Sequence, residues 1–308
     1  MAWFSRKRGA EAAPDAADGA SRPLLAGRYR LGHRIGAGSA AEVHEAVDLR
    51  TGNPVAIKVI RLPVDLSDTE RREWLARLKR EAELARRLEH PDIVAVYEAG
   101  LQPGGAWLAM ERVRGLDLSR YTQRHLLLPE PLVLHIGARV GAALAHAHAA
   151  GIVHRDLKPA NVLVNLATGQ VKLADFGVAR DDDASATRTG MVLGTPAYMA
   201  PEQLAGEPAS AASDTYALGV MLFELLSGRR PHQATTLGEL LQATAQQAPA
   251  SLAALRPDLP ATVVAAVEQL LARDPAARPA DLAAWSAQMA ALSALMARVL
   301  TPSVASSL

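Results

Sequence analysis

The sequence predicts an α+β protein of two unequal lobes, a small antiparallel-sheet lobe carrying one long helix and a larger, mainly helical lobe. Three observations carry this expectation. Strand-like alternation begins at Tyr29 and recurs to Met110. A single long amphipathic helical pattern interrupts it. Beyond a polar junction, Glu111 to Gly115, the periodicity becomes helical almost throughout.

In chain order, residues 1–27 are rich in Ala, Asp, Gly and Pro without periodicity and read as a disordered tail. Tyr29, Leu31, His33 and Ile35 alternate with polar or small residues, as a half-buried strand does. Val43–Val47 and Val55–Ile60 read as two further strands. Ser67 and Glu70 form an S-x-x-E capping box opening a helix whose pattern reaches Leu88, and Pro91 closes it. Strands are expected at Ile93–Tyr97 and Trp107–Met110. In the second lobe a helix spans Pro131–Ala150 with Gly151 just past its end. Another, Ser213–Leu226, is apolar almost all round and therefore buried. Ala-rich helices follow; the last, Leu282–Leu300, has apolar faces that belong to the core. The resulting division is a small lobe at 28–110, a hinge at 111–115, a large lobe at 116–297 and a tail at 298–308.

The chain has 308 residues, 49% hydrophobic and 21% charged, enough for two lobes around a cleft. A net charge of +1 gives no electrostatic footprint for nucleic acid. With no cysteine there are no disulfides, thiolate metal sites or cysteine nucleophiles, which fits a reducing cytoplasm. No run approaches the ~20 apolar residues of a transmembrane segment. The stretch Trp3-Phe4-Ser5-Arg6-Lys7-Arg8 pairs aromatic with basic residues and reads first as part of a disordered leader, with weak membrane-surface contact as the lesser alternative.

Five short motifs carry chemistry. Ile35-Gly36-Ala37-Gly38-Ser39 lies between two strands, where glycines let a backbone approach a phosphate. A strand and not a helix follows, which argues against a dinucleotide-binding turn. In Val55-Ala56-Ile57-Lys58, period two puts Ala56 and Lys58 on one face, leaving room for a flat base with a cation beyond it. Glu81 shares a helical stripe with Trp74, Leu78, Ala85 and Leu88; a carboxylate there needs a partner, and Lys58 is the natural one. His154-Arg155-Asp156-Leu157-Lys158-Pro159-Ala160-Asn161 precedes Val162-Leu163-Val164, and Asp175-Phe176-Gly177 follows. Thr168-Gly169 is a turn that folds Val162–Asn165 on Gln170–Leu173, bringing Asn161 beside Asp175. An amide oxygen and a carboxylate side by side suit Mg²⁺. Asp156, a few residues away, can accept a proton from a hydroxyl.

On these residues the chain resembles the protein kinases, and looks most like the bacterial eukaryotic-like (Hanks-type) serine/threonine kinases. The resemblance runs from about Tyr29 to about Pro279, with Ala200-Pro201-Glu202 completing the ordered set. It implies the bilobal protein-kinase fold and transfer of the γ-phosphoryl of Mg²⁺-ATP to protein Ser/Thr hydroxyls. Gly36 to Ser39 would cover the phosphates. Lys58 would hold them and pair with Glu81. Asp156 would orient the acceptor hydroxyl, Lys158 steady the γ-phosphate, and Asn161 and Asp175 hold the metal. Val43, Ala56 and Leu163 would sandwich adenine, with Met110 as gatekeeper and Glu111 and Val113 offering backbone hydrogen bonds. Asp214 would brace the catalytic loop, and Glu202 would pair with Arg278.

The segment from Asp175 to Glu202 holds Ser185, Thr187, Thr189 and Thr195. Arg155 is the type that receives a phosphate there, so Thr187 and Thr189 are expected to be autophosphorylated. Family members can dimerise through the small lobe, which would allow one copy to modify another. Two departures from the pattern stand out. Ala41 replaces the third loop glycine, and Ala85 stands where a larger apolar side chain is usual, which predicts a loosely docked helix. Asp181-Asp182-Asp183 reads as solvated, and His135, His146 and His148 as helix residues and not metal ligands. A phosphotransfer-dead binding module is disfavoured because Lys58, Asp156 and Asp175 are all present. A small-molecule phosphotransferase is disfavoured by Lys158 and Gly194-Thr195-Pro196. Substrate protein, upstream signal and pathway are not encoded in these motifs.

Overall fold

The computed structural model describes residues 24–38, 41–62, 66–176 and 195–300. Residues 1–23 of the tail expected at 1–27 and the threonines Thr187 and Thr189 lie outside them, while Leu24 and Leu25 of that tail form a strand paired with Arg30 and Tyr29. The chain folds as two lobes of the α+β class. In the small lobe, β1 (Leu24–Leu25), β2 (Tyr29–Ala37), β3 (Ala41–Asp48), β4 (Pro54–Arg61), β5 (Val96–Gln102) and β6 (Gly105–Glu111) form one antiparallel sheet, ordered β1-β2-β3-β4-β6-β5. The fourth strand was expected to start at Ile93. It starts at Val96, because Ile93 instead bridges Leu173 of the other lobe.

Helix α1 (Asp68–Arg86) begins at the predicted capping box: Ser67 Oγ accepts from the Glu70 N–H, and the Glu70 carboxylate accepts from the Ser67 N–H at 2.8 Å. Its buried face is Trp74, Leu78, Ala82 and Ala85, which pack with Ile60, Ala106 and Leu108 of the sheet. Ala82, at 1% exposure, also lies in this face, and Glu81, expected in the stripe of Trp74, Leu78, Ala85 and Leu88, is half-buried beside it, about 100° round the helix. Ala85 is buried, and Leu88 lies just past the helix end, also buried.

The large lobe is built on α2 (Glu130–Ala149), α4 (Ala211–Ser227) and α8 (Leu282–Leu300), with α3 (Pro201–Leu204), α5 (Leu237–Gln246), α6 (Leu252–Leu255) and α7 (Ala261–Leu270) around them. Helix α4 buries fifteen residues on all its faces, as its composition predicted. Two glycines let α2 approach its neighbours. A Cβ at Gly137 would lie 2.7 Å from the Leu222 side chain, and one at Gly141 would lie 2.4 Å from Ser286 Oγ. The last helix serves the core: Leu282, Trp285 and Met289 are buried, and Ser293 Oγ donates to the Pro131 carbonyl at 2.7 Å. A small sheet, β7 (Leu116–Asp117), β8 (Val162–Asn165) and β9 (Gln170–Leu173), lies at the junction with the small lobe, with β8–β9 in the predicted register. Among the described residues no helix is long and apolar enough to cross a membrane.

One ion pair ties the chain near α3 to the chain before α8. Both Arg278 amines donate to Glu202, at 2.7 and 2.8 Å, and the Arg278 side chain is 1% exposed. The guanidinium also donates to the carbonyls of Ala272, Ala212 and Arg273. Burial pushes the Glu202 carboxyl up, but hydrogen bonding and charge from Arg278 outweigh it and hold the group below its usual value. Glu202→Ala strands a buried guanidinium and is expected to cost about 3–5 kcal/mol of unfolding free energy. Because the folded carboxyl titrates low, its contribution is complete above the ordinary carboxylate range and is lost as pH falls through it. Denaturant midpoints of the two chains should therefore converge in acid; a pH-independent gap would refute the assignment.

Candidate functional site

The site is assembled at the interlobe junction by α4, the loop from His154 to Asn161 and the end of β9. Asp214, in the first turn of α4, is 2% exposed. Its carboxylate accepts the His154 N–H at 2.7 Å and the Arg155 N–H at 2.9 Å, and lies 2.8 Å from His148 Nε2. His148 carries no motif; its role follows only from α2 lying beside α4. Arg155 has φ of 66°, a left-handed conformation of order 1–3 kcal/mol unfavourable for a residue with a Cβ. The two N–H bonds to Asp214 hold it there. His154 in turn lies 2.9 Å, through Nε2, from the Ala174 carbonyl, and its ring packs on Phe176 at 4.7 Å. The peptide before Asp175 is thus tied to the loop before Asp156.

Asp156, Lys158, Asn161 and Asp175 come together as the hairpin geometry predicts. Lys158 Nζ donates to Asp156 Oδ2 at 2.8 Å, and Asn161 Nδ2 donates to the Asp156 carbonyl at 2.8 Å and to Oδ2 at 3.2 Å. The Ala174 N–H donates to the Asn161 carbonyl at 2.9 Å, which sets Asp175 beside Asn161. The Asn161 amide nitrogen is engaged with Asp156, so its Oδ1 is left to accept. Together with the Asp175 carboxylate, 37% exposed, this is a hard-oxygen donor pair that fits a magnesium ion.

The expected Lys58–Glu81 pair is not formed. Lys58 Nζ lies 2.7 Å from Asp175 Oδ1, and Glu81 lies 3.3 Å from an Arg155 amine. Ala82 faces the sheet, and Glu81, next to it on α1, meets the catalytic loop at Arg155. Burial pushes the Asp175 carboxyl up, but the charge and hydrogen bond of Lys58, with His154 and Lys158 behind it, hold it below its ordinary value.

The base-sized face is present. Ala56 pairs with Met110 and Lys58 with Leu108 across β4–β6, and Val43 pairs with Lys58 across β3–β4. Ala56 is buried, Val43, Met110 and Leu163 are half-buried, and Ile35 is exposed. The Glu111 N–H, one of the expected hinge hydrogen bonds, is already donated to the Ala95 carbonyl at 2.8 Å. The Glu111 side chain has a further task that its sequence position does not reveal. Its carboxylate takes Lys172 Nζ at 2.7 Å, and that lysine also donates to the Ile93 carbonyl. At the glycine loop, Gly36 pairs with Val43, Ala37 pairs with Glu42, and the Gly38 N–H donates to the Ala41 carbonyl at 2.8 Å. A Cβ at Gly36 or Gly38 would meet no atom nearer than 3.6 Å, so packing within the protein does not require glycine there. Ser39 and Gly177 lie outside the described residues.

Asp214→Ala leaves two buried N–H groups without their acceptor, at about 1–3 kcal/mol each. Hydrogen exchange should show protection lost at the amides of His154 and Arg155 while the α2–α8 core stays protected; unchanged protection at both amides would refute the bracing role.

The protein kinase domain family matches residues 29–291. Serine/threonine-protein kinase PknA of Mycobacterium tuberculosis is 42% identical over 260 residues, covering 82% of this chain and 58% of that protein. Serine/threonine-protein kinase pkn3 of Myxococcus xanthus is 38% identical over 281 residues, 87% of this chain and 50% of its own. PrkC of Bacillus subtilis is 36% identical over 252 residues, 82% of this chain and 38% of its own. The chain therefore spans 38–58% of the length of these relatives. With the match covering both lobes and every motif of the site, the chain belongs to the protein kinase family.

Proposed function

We propose that this chain is a serine/threonine protein kinase transferring the γ-phosphoryl of Mg²⁺-ATP to protein hydroxyls, with residues 28–297 as its catalytic unit. The observation that carries the reading is the braced cluster of Asp156, Lys158, Asn161 and Asp175 with Lys58 opposite. Phosphoryl transfer asks mainly for positioning and charge compensation, and this cluster supplies cations, oxygen ligands and one base. Asp156 would orient the acceptor hydroxyl and take its proton. Lys158 would meet the γ-phosphate, and Lys58 the α- and β-phosphates. Asn161 Oδ1 and the Asp175 carboxylate would hold magnesium, which would neutralise charge on the phosphates. Gly36 to Ser39 would close over them with backbone N–H groups, which accounts for glycines that packing does not require. Adenine would lie between Val43, Ala56 and Leu163, with Met110 behind it. The Glu111 carbonyl and the Val113 N–H would be its backbone contacts, since the Glu111 N–H is taken.

The names of the relatives support the serine/threonine class of acceptor. ATP as donor belongs with a cytoplasmic location, which is part of the same proposal. Asp156→Asn is expected to lower the turnover of label from γ-labelled ATP into protein about 10²–10⁴-fold, the range for losing a general base. Equal labelling by the substituted chain would overturn the assignment of Asp156.

On this reading the ion pairs of Lys58 and Glu81 would belong to a resting arrangement. Lys58 and Asp175 hold one another through Oδ1, so bound phosphates and a metal would compete for that contact. Glu81–Arg155 is half exposed, a class of pair worth no more than about 1 kcal/mol, so a phosphate could displace it readily. Phosphorylation of Thr187 and Thr189, by a second copy of the chain, would draw Arg155 away and release Glu81 to Lys58. Thr187→Ala with Thr189→Ala should then lower activity at least about tenfold, since one new charge-assisted hydrogen bond is worth about 1.5–3 kcal/mol. Full activity, or phosphosite mapping that finds neither threonine modified, would refute this switch.

A further inference from the structure

A cavity of about 300 Å³ lies in the large lobe between α3, α4, α5 and the chain after α7, and shares no residue with the interlobe site. Its inner wall holds Tyr216 and Thr244, only 2% and 4% exposed. Neither hydroxyl makes a hydrogen bond, and both oxygens keep access to the cavity. This sets them apart from the other buried hydroxyls of the lobe. Ser227, Ser286 and Ser293 each donate to a backbone carbonyl at 2.7 Å, and Thr215 does so at 3.0 Å. Helical Thr244 could have bonded back in the same way and does not. Two hydroxyls with no partner in the protein, opening on one cavity from residues that are otherwise buried, are donors available to a polar ligand.

The rest of the lining fixes the ligand's chemistry. Among the described residues that line it, the single charged side chain is the guanidinium of Arg273 at the exposed rim, which also donates to the Gln247 carbonyl at 3.1 Å, and none carries a carboxylate. Burial first, and Arg273 second, push the His232 imidazole down, so it adds no second positive charge at neutral pH. Burial pushes the Tyr216 phenol up to about 12, so it remains a donor. Pro201 and Leu271 supply apolar surface. A cavity of about 150 Å³ already admits benzene, so this one has room for a ring and a charged head.

We propose that this cavity binds a small organic carboxylate, its apolar body against Pro201 and Leu271 and its head taking the charge of Arg273 and the free donors of Tyr216 and Thr244. The site is coupled to the framework of the lobe. Pro201 opens α3 next to Glu202, and the Tyr216 ring lies 5.0 Å beneath the Arg278 guanidinium. Occupancy is therefore expected to raise the melting temperature.

The test is ¹⁹F NMR titration of the full chain with 4-fluorobenzoate, with 4-fluorobenzyl alcohol as the neutral counterpart. Saturable binding of the benzoate in the millimolar range or tighter is expected, at least about tenfold weaker for the alcohol and in Arg273→Gln, the loss of a charge-assisted hydrogen bond. Tyr216→Phe and Thr244→Val should each weaken it about threefold or more while leaving the melting temperature unchanged, because neither hydroxyl supports the fold. Lys58→Met should leave binding intact, which separates this cavity from the interlobe cleft whether or not that cleft takes ATP. The proposal is overturned by absence of saturable binding, which would make this a water-filled cavity. Equal binding of the alcohol, indifference to all three cavity substitutions, loss in Lys58→Met, or displacement by inorganic phosphate at matching concentration would overturn it too.

Discussion

The Asp214 carboxylate is the contact on which the site depends. It sits at the start of a helix buried on every face, so its position is set by the core of the large lobe and not by the site. From there it takes the N–H groups of His154 and Arg155 and meets His148. A buried carboxylate is costly without such donors, and the donors are costly without the carboxylate. Each therefore fixes the other. The unfavourable backbone at Arg155 is tolerated because of this, and Asp156 is aimed by it. Through His154 the same constraint passes to Ala174, and so to Asp175 on the far side of the site.

Rigidity is distributed unevenly around this centre. The large-lobe core and the Glu202–Arg278 pair are buried. The small lobe meets this framework through the segment after α1, where Leu88 and Ile93 join the large-lobe core, Asp92 pairs with Arg139 and Leu173 bonds to the backbone of Asp92 and Val94, and through Glu111 with Lys172 and the ion pairs of Lys58 and Glu81. Helix α1 is held to its sheet by Trp74, Leu78, Ala82 and Ala85, two large and two small side chains. The proposed exchange of Glu81 between Arg155 and Lys58 requires this helix to shift against the sheet.

Much of this was legible in the sequence. The capping box at Ser67 and Glu70, the turn at Gly169 and the apolar circumference of α4 each encode local geometry directly, and the structure places those elements within a few residues of expectation. The hairpin alone sufficed to bring Asn161 beside Asp175, because register in a two-stranded ribbon follows from its turn. The strand start at Val96 was misjudged because Ile93 is apolar for a tertiary reason, its contact with the other lobe.

What the sequence determined by itself, then, was the order of the elements, the fold class and the set of chemical groups on one loop and one hairpin. What only the tertiary structure decided was pairing across elements. Periodicity says that Glu81 and Ala82 lie near an apolar stripe, but not which of them faces inward, since that is set by the rotation of α1 against the sheet. It gives no sign that His148 meets Asp214, that Glu111 meets Lys172, or that the Tyr216 and Thr244 hydroxyls open on a common cavity. Those contacts join residues tens of positions apart, and their existence depends on how whole helices pack.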